Sequence, residues 1–196
     1  MFIDFLTLIM INLIAGTVLL AYYIWKGMDE TNQRPYAAAF GTVGLLGVIL
    51  GLQLSFNWPL PGSFNFFYGE ATTLFGAIFL GTALALSQGW DLVPMTIYAF
   101  FAGADAIVVG VRILSLHLGQ EPAVAAAGFV LSGLGGVCAA PFFMFFKNNK
   151  MVRYAAIAVL LIAAAIWAVT FYSALWAHMD TFSKWVPATM LTAPAK

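Results

Sequence analysis

The stretch Met95–Gly119, MTIYAFFAGADAIVVGVRILSLHLG, decides the fold. It exceeds the roughly 20 apolar residues that a helix needs to cross the hydrocarbon of a bilayer. Yet it holds Asp105 and Arg112 in its interior and His117 at its far end. If this segment spans a membrane, its acid and its guanidinium must be hidden from lipid, as an intramembrane charge requires.

The rest of the chain agrees. Of 196 residues, 63% are hydrophobic and only 8% charged, and the mean hydropathy is +0.95. A soluble domain is nearer one quarter charged, since its surface must be solvated by water. The class is therefore an integral membrane protein surrounded by lipid. Net charge is zero and there is no basic run, which argues against a nucleic-acid partner. The single Cys138 excludes an intramolecular disulfide and a cysteine-cluster metal site. The apolar N-terminus carries Asp4 and lacks the basic start of a cleaved leader, so it reads as a retained first span.

Six stretches are long enough to cross, at about 2–26, 35–56, 66–88, 92–117, 122–146 and 151–178. Residues 1–178 thus form one all-α, six-span bundle, and 179–196 a short tail broken by Pro187 and Pro194. Pro35 and Pro122 suit first helical turns, where a missing N–H costs nothing. Gly89 offers a stop, and Asp91 a cap for the next helix. Trp58, Trp90, Trp176 and Trp185 fall at the span ends, where indole rings favour the membrane interface.

Lys26, Arg34, Lys147, Lys150 and Arg153 flank the first and fifth connections, whereas the opposite face has only Lys184 and Lys196. The bias of basic residues toward the cytoplasm predicts a cell-membrane protein with both termini outside. The outer face then collects Asp4, Glu121 and Asp180, with Glu70 and His117 near it.

In span two, Gly41, Gly44, Gly47 and Gly51 share one helical face and allow a neighbouring backbone to approach closely. Span five has Gly128, Gly133, Gly135 and Gly136, then Pro141, which predicts a kink. These features suit helix packing; a broken transporter helix normally appears in two matched halves, and the halves here show no similarity.

The polar residues are the candidates for function. Residues seven apart on a helix are about 10 Å apart along the axis and nearly on one face, so Arg112, leaning toward the N-terminus, can meet Asp105. Glu70, at the start of span three, lies at similar depth, so one guanidinium would serve two carboxylates. The surplus negative charge would call for a proton, a bound cation, or a proton from His117 or His178. The two histidines end spans four and six on the same side. With Glu70, Glu121, Asp4 or Asp180 they have the ligand types for a metal ion, and by themselves those for a haem b. No ligand-spacing motif, nucleophile motif or phosphate loop accompanies them.

Three functions follow as expectations. The first is a non-catalytic membrane subunit or module with a polar site near the outer face, partnered by another subunit or by a second copy of itself. The second is a small transporter or channel coupled to protons or cations through an intramembrane carboxylate. The third is a redox subunit holding metal or haem.

In length, in its six spans, in the acid-bearing opening of span three, Phe67–Gly81 (FYGEATTLFGAIFLG), and in its polar fourth span, the chain resembles a small six-span membrane family known as the domain of unknown function 981 type. The resemblance implies a membrane location and no chemistry.

Overall fold

A computed structural model describes residues 5–186. Six long helices, with no strand among the described residues, follow one another: α1 (Phe5–Trp25), α2 (Pro35–Asn57), α3 (Phe64–Gln88), α4 (Val93–Ser115), α5 (Pro122–Pro141) and α6 (Lys150–Phe182). Each stretch read as a span is a helix long and apolar enough to cross a membrane.

The boundaries have local causes. Proline stands in the first turn of α2, α4 and α5, where its fixed φ suits the helix. Gly89 closes α3 in the left-handed conformation at φ 71°, which glycine adopts without a Cβ penalty. Asp91 accepts the Val93 N–H at 3.1 Å, one residue ahead of the cap position. Asn149 caps α6 by accepting from the Met151 and Val152 N–H groups at 3.0 and 3.3 Å. The loop before α3 is tied by buried Asn65, whose side chain accepts from Leu60 N–H and donates to the carbonyls of Leu60 and Gly62.

Two boundaries differ from the sequence reading. Helix α6 continues four residues past 178 before the tail begins. At Pro141, α5 passes into a wider π turn over Phe142–Phe146. Proline has no N–H to bond back along the helix, so the winding changes there. Asp4, Pro187, Pro194 and Lys196 lie outside the described residues.

The helices form a ring. Each packs against its neighbours in sequence, and α6 returns to α1. The seams α2–α3 and α4–α5 are the most extensive, and glycine makes them so. A Cβ on Gly47 would stand 2.8 Å from the Gly76 Cα, and one on Gly103 would stand 2.6 Å from the Val137 N. Such contact between backbones is the main source of helix affinity in lipid, where no hydrophobic effect operates between helices. The glycine face expected on span two is thus matched by Gly69 and Gly76 on α3.

A cluster including Leu54, Phe67, Tyr68, Phe129, Trp167 and Phe171 fills the half of the bundle where α3 begins and α4 ends. Smaller clusters around Phe40 and Phe79, and around Ile24 and Phe142, occupy the other half. That half ends in Lys26, Arg34, Lys147, Lys150 and Arg153, the basic end of the bundle. Trp25, Trp58, Trp90, Trp176 and Trp185 are all exposed near helix ends, as interfacial anchors would be.

Candidate functional site

The third and fourth spans each carry one acid. Asp105 lies ten residues before the end of α4, and Glu70 six residues after the start of α3. At 1.5 Å per residue these positions are about 15 and 9 Å from the same end of the bundle. The two carboxylates thus differ by about 6 Å in depth. Asp105 is half-buried, and its Oδ2 is fully buried with no hydrogen-bond partner. Glu70 is exposed on the outside of the bundle, beside Leu52, Ser55, Thr73 and Leu74. Asp105 thus has a buried carboxylate oxygen on α4, whereas Glu70 faces outward along α2 and α3.

Arg112 does not join them. Its Nη1 donates to Ser115 Oγ at 3.4 Å, and the side chain is exposed. The only ion pair among the described residues is Arg153 Nη1 with Asp29 Oδ1 at 2.9 Å. The clasp expected between Asp105 and Arg112 is thus absent. Arg112 lies within a turn of the end of α4, and a long cationic side chain near a helix end reaches for the polar interface.

The remaining candidates are dispersed. His117 is exposed beyond α4, in the left-handed conformation at φ 51°. His178 lies on α6 with its ring 5.5 Å from that of Phe182. Helices α4 and α6 each pack on α5, which stands between them in the ring. Glu121 precedes α5 without capping it, and Asp180 is exposed. Among the described residues no three His, Cys, Asp or Glu side chains come together as metal ligands. The mixed histidine–carboxylate centre is therefore not assembled from them.

At the basic end, a residue read only as a topology marker has a structural role. Arg153, at the start of α6, donates through Nε and Nη2 to the Ile24 carbonyl at 3.2 and 2.6 Å, and through Nη2 to that of Trp25 at 3.3 Å. It satisfies carbonyls that α1 leaves unpaired at its C-terminus. Asp29, in the adjoining one-turn 3-10 helix, completes the joint. The Arg153 hydrogen bond holds the Asp29 carboxyl below the ordinary carboxylate value. No sequence signal marks this contact, because the partners are 129 residues apart.

The ring also encloses a cavity of about 560 Å³ among α1, α3, α4, α5 and α6. Its polar lining groups are largely spoken for. Asn12 donates to the Val43 carbonyl at 3.0 Å, Thr17 to Leu13, Thr96 to Val93, and Trp167 Nε1 to Ser132 Oγ at 3.0 Å.

Six apolar helices in a ring, most buried polar groups hydrogen-bonded within the protein, and tryptophans exposed near the helix ends mark an integral, multi-pass membrane protein. A family model matches residues 1–181, and the chain belongs to that family, the protein of unknown function DUF981. No curated protein and no solved structure matches the chain.

Proposed function

We propose that the protein is a non-catalytic membrane module whose working centre is the Glu70–Asp105 pair. The observation that carries this reading is the buried, unpartnered Oδ2 of Asp105, with a second intramembrane carboxylate, Glu70, at similar depth and no cation paired to either among the described residues. Intramembrane carboxylates mark functional positions because their burial is costly. Two of them without a counter-charge call for a proton, or for a basic group from another membrane chain. Glu70 faces outward, where a second chain can reach it. The bias of basic residues supports a cytoplasmic basic end, and with it a carboxylate pair in the outer half of the membrane.

A second reading has its own observation. Ala102 and Ala106, within a turn of Asp105 on α4, line the cavity. That neighbourhood suits a small proton- or cation-coupled transporter with Asp105 as the coupling acid. One experiment separates the two readings. The protein is purified from its own membrane in mild detergent, and is also reconstituted into vesicles under a pH gradient, each with and without Glu70→Gln and Asp105→Asn. A copurifying membrane chain lost in the variants supports the module. Proton flux lost in the variants supports the transporter. If the variants alter neither, the pair is not the working centre.

A further inference from the structure

The geometry points to the central cavity as a binding site for one apolar chain of an anionic bilayer lipid, entered sideways between α5 and α6 near the basic end. This inference is independent of the carboxylate pair. The lining extends along α1 from Ile9 to Ile24, which at 1.5 Å per residue is about 22 Å. A volume of about 560 Å³ spread over that length is a long, narrow slot. Its shape suits an extended hydrocarbon chain better than a compact solute.

The slot has one closed end and one open flank. Away from the basic end, Phe67, Tyr68, Phe129 and Trp167 form a floor, with successive ring centroids 4.9, 5.5 and 5.3 Å apart. The lining residues that are also exposed are confined to two helices and the π turn. They are Leu134, Cys138 and Pro141 on α5, Phe146 on the turn, and Ala155 on α6. The opening is therefore lateral, onto the surface that faces lipid. The π turn after Pro141 adds Phe142, Phe143 and Phe146 to the lining, and of these Phe146 is exposed.

The lining chemistry selects the occupant. No charged side chain lines the slot, and most of its polar groups already bond within the protein. Water gains few partners in such a space, and an apolar cavity of this kind stays dry or takes an apolar guest. Pockets of about 300–1,000 Å³ are the normal size for small-molecule sites. Beside the opening, Lys147 follows Phe146, and Lys150 lies two residues before the lining residue Val152. Both lysines are exposed. A headgroup left at the mouth thus meets positive charge, which favours an anionic one.

Trp167 is the natural reporter, being a lining residue with only 2% of its surface exposed. With the other five tryptophans changed to phenylalanine, the full chain is reconstituted into vesicles of phosphatidylglycerol or phosphatidylcholine whose chains carry bromine, a short-range quencher of indole fluorescence. In phosphatidylglycerol, Trp167 should lose more than half of its emission. Ala139→Phe narrows the slot from α5 and Ala102→Leu narrows it from α4, so a misfolded variant on one side leaves the other informative. Both should restore most of the emission. Two lysines near the surface should favour the anionic vesicle by roughly tenfold or more in occupancy, and Lys147→Gln with Lys150→Gln should abolish that preference. Unquenched Trp167 in both vesicles, or quenching unchanged by either narrowing variant, overturns the lipid slot. Equal quenching in the two lipids overturns the anionic headgroup.

Discussion

Replacing Asp105 with leucine separates two accounts of the fourth span. If Asp105 and Arg112 held one another, losing Arg112 alone would strand a buried carboxylate at a cost of about 3–5 kcal/mol, and losing both would be near neutral. In the structure Asp105 Oδ2 is buried without a partner, and the Arg112 side chain hydrogen-bonds to Ser115 rather than to Asp105. A buried polar atom left unpaired costs about 1–3 kcal/mol. Asp105→Leu should therefore stabilise the isolated protein by about that amount, helped by a few tenths of a kcal/mol from the better helix propensity of leucine. Arg112→Leu removes an exposed side chain with one long hydrogen bond, so its effect should stay within about 0.5 kcal/mol. For a chain of this size each kcal/mol moves Tm by about 2–4 °C. Thermal unfolding in detergent, with both single variants and the double variant, reads these differences directly. A large loss for Arg112→Leu that the double variant restores would refute the reasoning and reinstate the clasp. Stabilisation by Asp105→Leu together with loss of function would be the signature of a residue kept for its work.

The glycine seams predict opposite effects for one substitution at two sites on α2. Gly47→Ala drives a methyl to 2.8 Å from the Gly76 Cα, where backbone cannot yield, and should cost about 1–3 kcal/mol in detergent stability. Gly41→Ala meets only the Ala83 Cβ at an ordinary 3.6 Å and should be neutral, or stabilising by up to about 1 kcal/mol through helix propensity. With Cys138 changed to serine, a cysteine at Asn148 should react with an impermeant reagent only after the membrane is opened, and one at Ser63 without opening. Labelling of both from outside would overturn the six-span arrangement, and the reverse pattern would overturn the orientation.

How far the fold was legible follows from what a single sequence records. The spans were readable because lipid solvates them, and an apolar run of sufficient length has few other uses. Their ends were readable because proline and glycine act locally. The face formed by Gly44, Gly47 and Gly51 announced a close partner, though not that Gly69 and Gly76 would supply it. The depth of Glu70 and Asp105 could be counted along the helices, and the helix bounds place the two at depths about 6 Å apart. The partner of Arg112 could not be counted in that way. Spacing along one helix offers Asp105, while the nearby helix end and the interface beyond it compete for the same side chain. The cavity was hidden for another reason. Alanine and glycine at positions such as 102, 106, 135 and 139 read as faces for tight packing, and small residues look the same whether a neighbouring helix fills the space or leaves it open.

Arg153 shows how a charge that marks topology can also hold the ring closed, and its test includes a pH dependence of known sign. The guanidinium is largely buried, with 14% of its side chain exposed, while the Asp29 side chain is 67% exposed. Most of its stabilising effect should therefore come from the Ile24 and Trp25 carbonyls rather than from the ion pair, since exposed pairs contribute little. Hydrogen bonds from a charged donor are worth about 1.5–3 kcal/mol each at most, and those at Ile24 share one acceptor. Arg153→Leu should accordingly cost about 2–4 kcal/mol by the same reckoning, and Arg153→Lys should recover only part of it, because a single ammonium cannot reach the carbonyls and Asp29 in a planar fork. Asp29→Asn should cost far less than Arg153→Leu. The Asp29 carboxyl is held low by the Arg153 hydrogen bond, so the folded state binds its proton more weakly than the unfolded chain does. Its contribution is complete above the unfolded carboxylate value and fades as pH falls through the lower, folded value. Detergent Tm measured from neutral pH downward should therefore converge for wild type and Asp29→Asn at the acid end, with Arg153→Leu remaining below both. If Asp29→Asn instead equals Arg153→Leu at neutral pH, the ion pair rather than the carbonyl cap closes α6 onto α1.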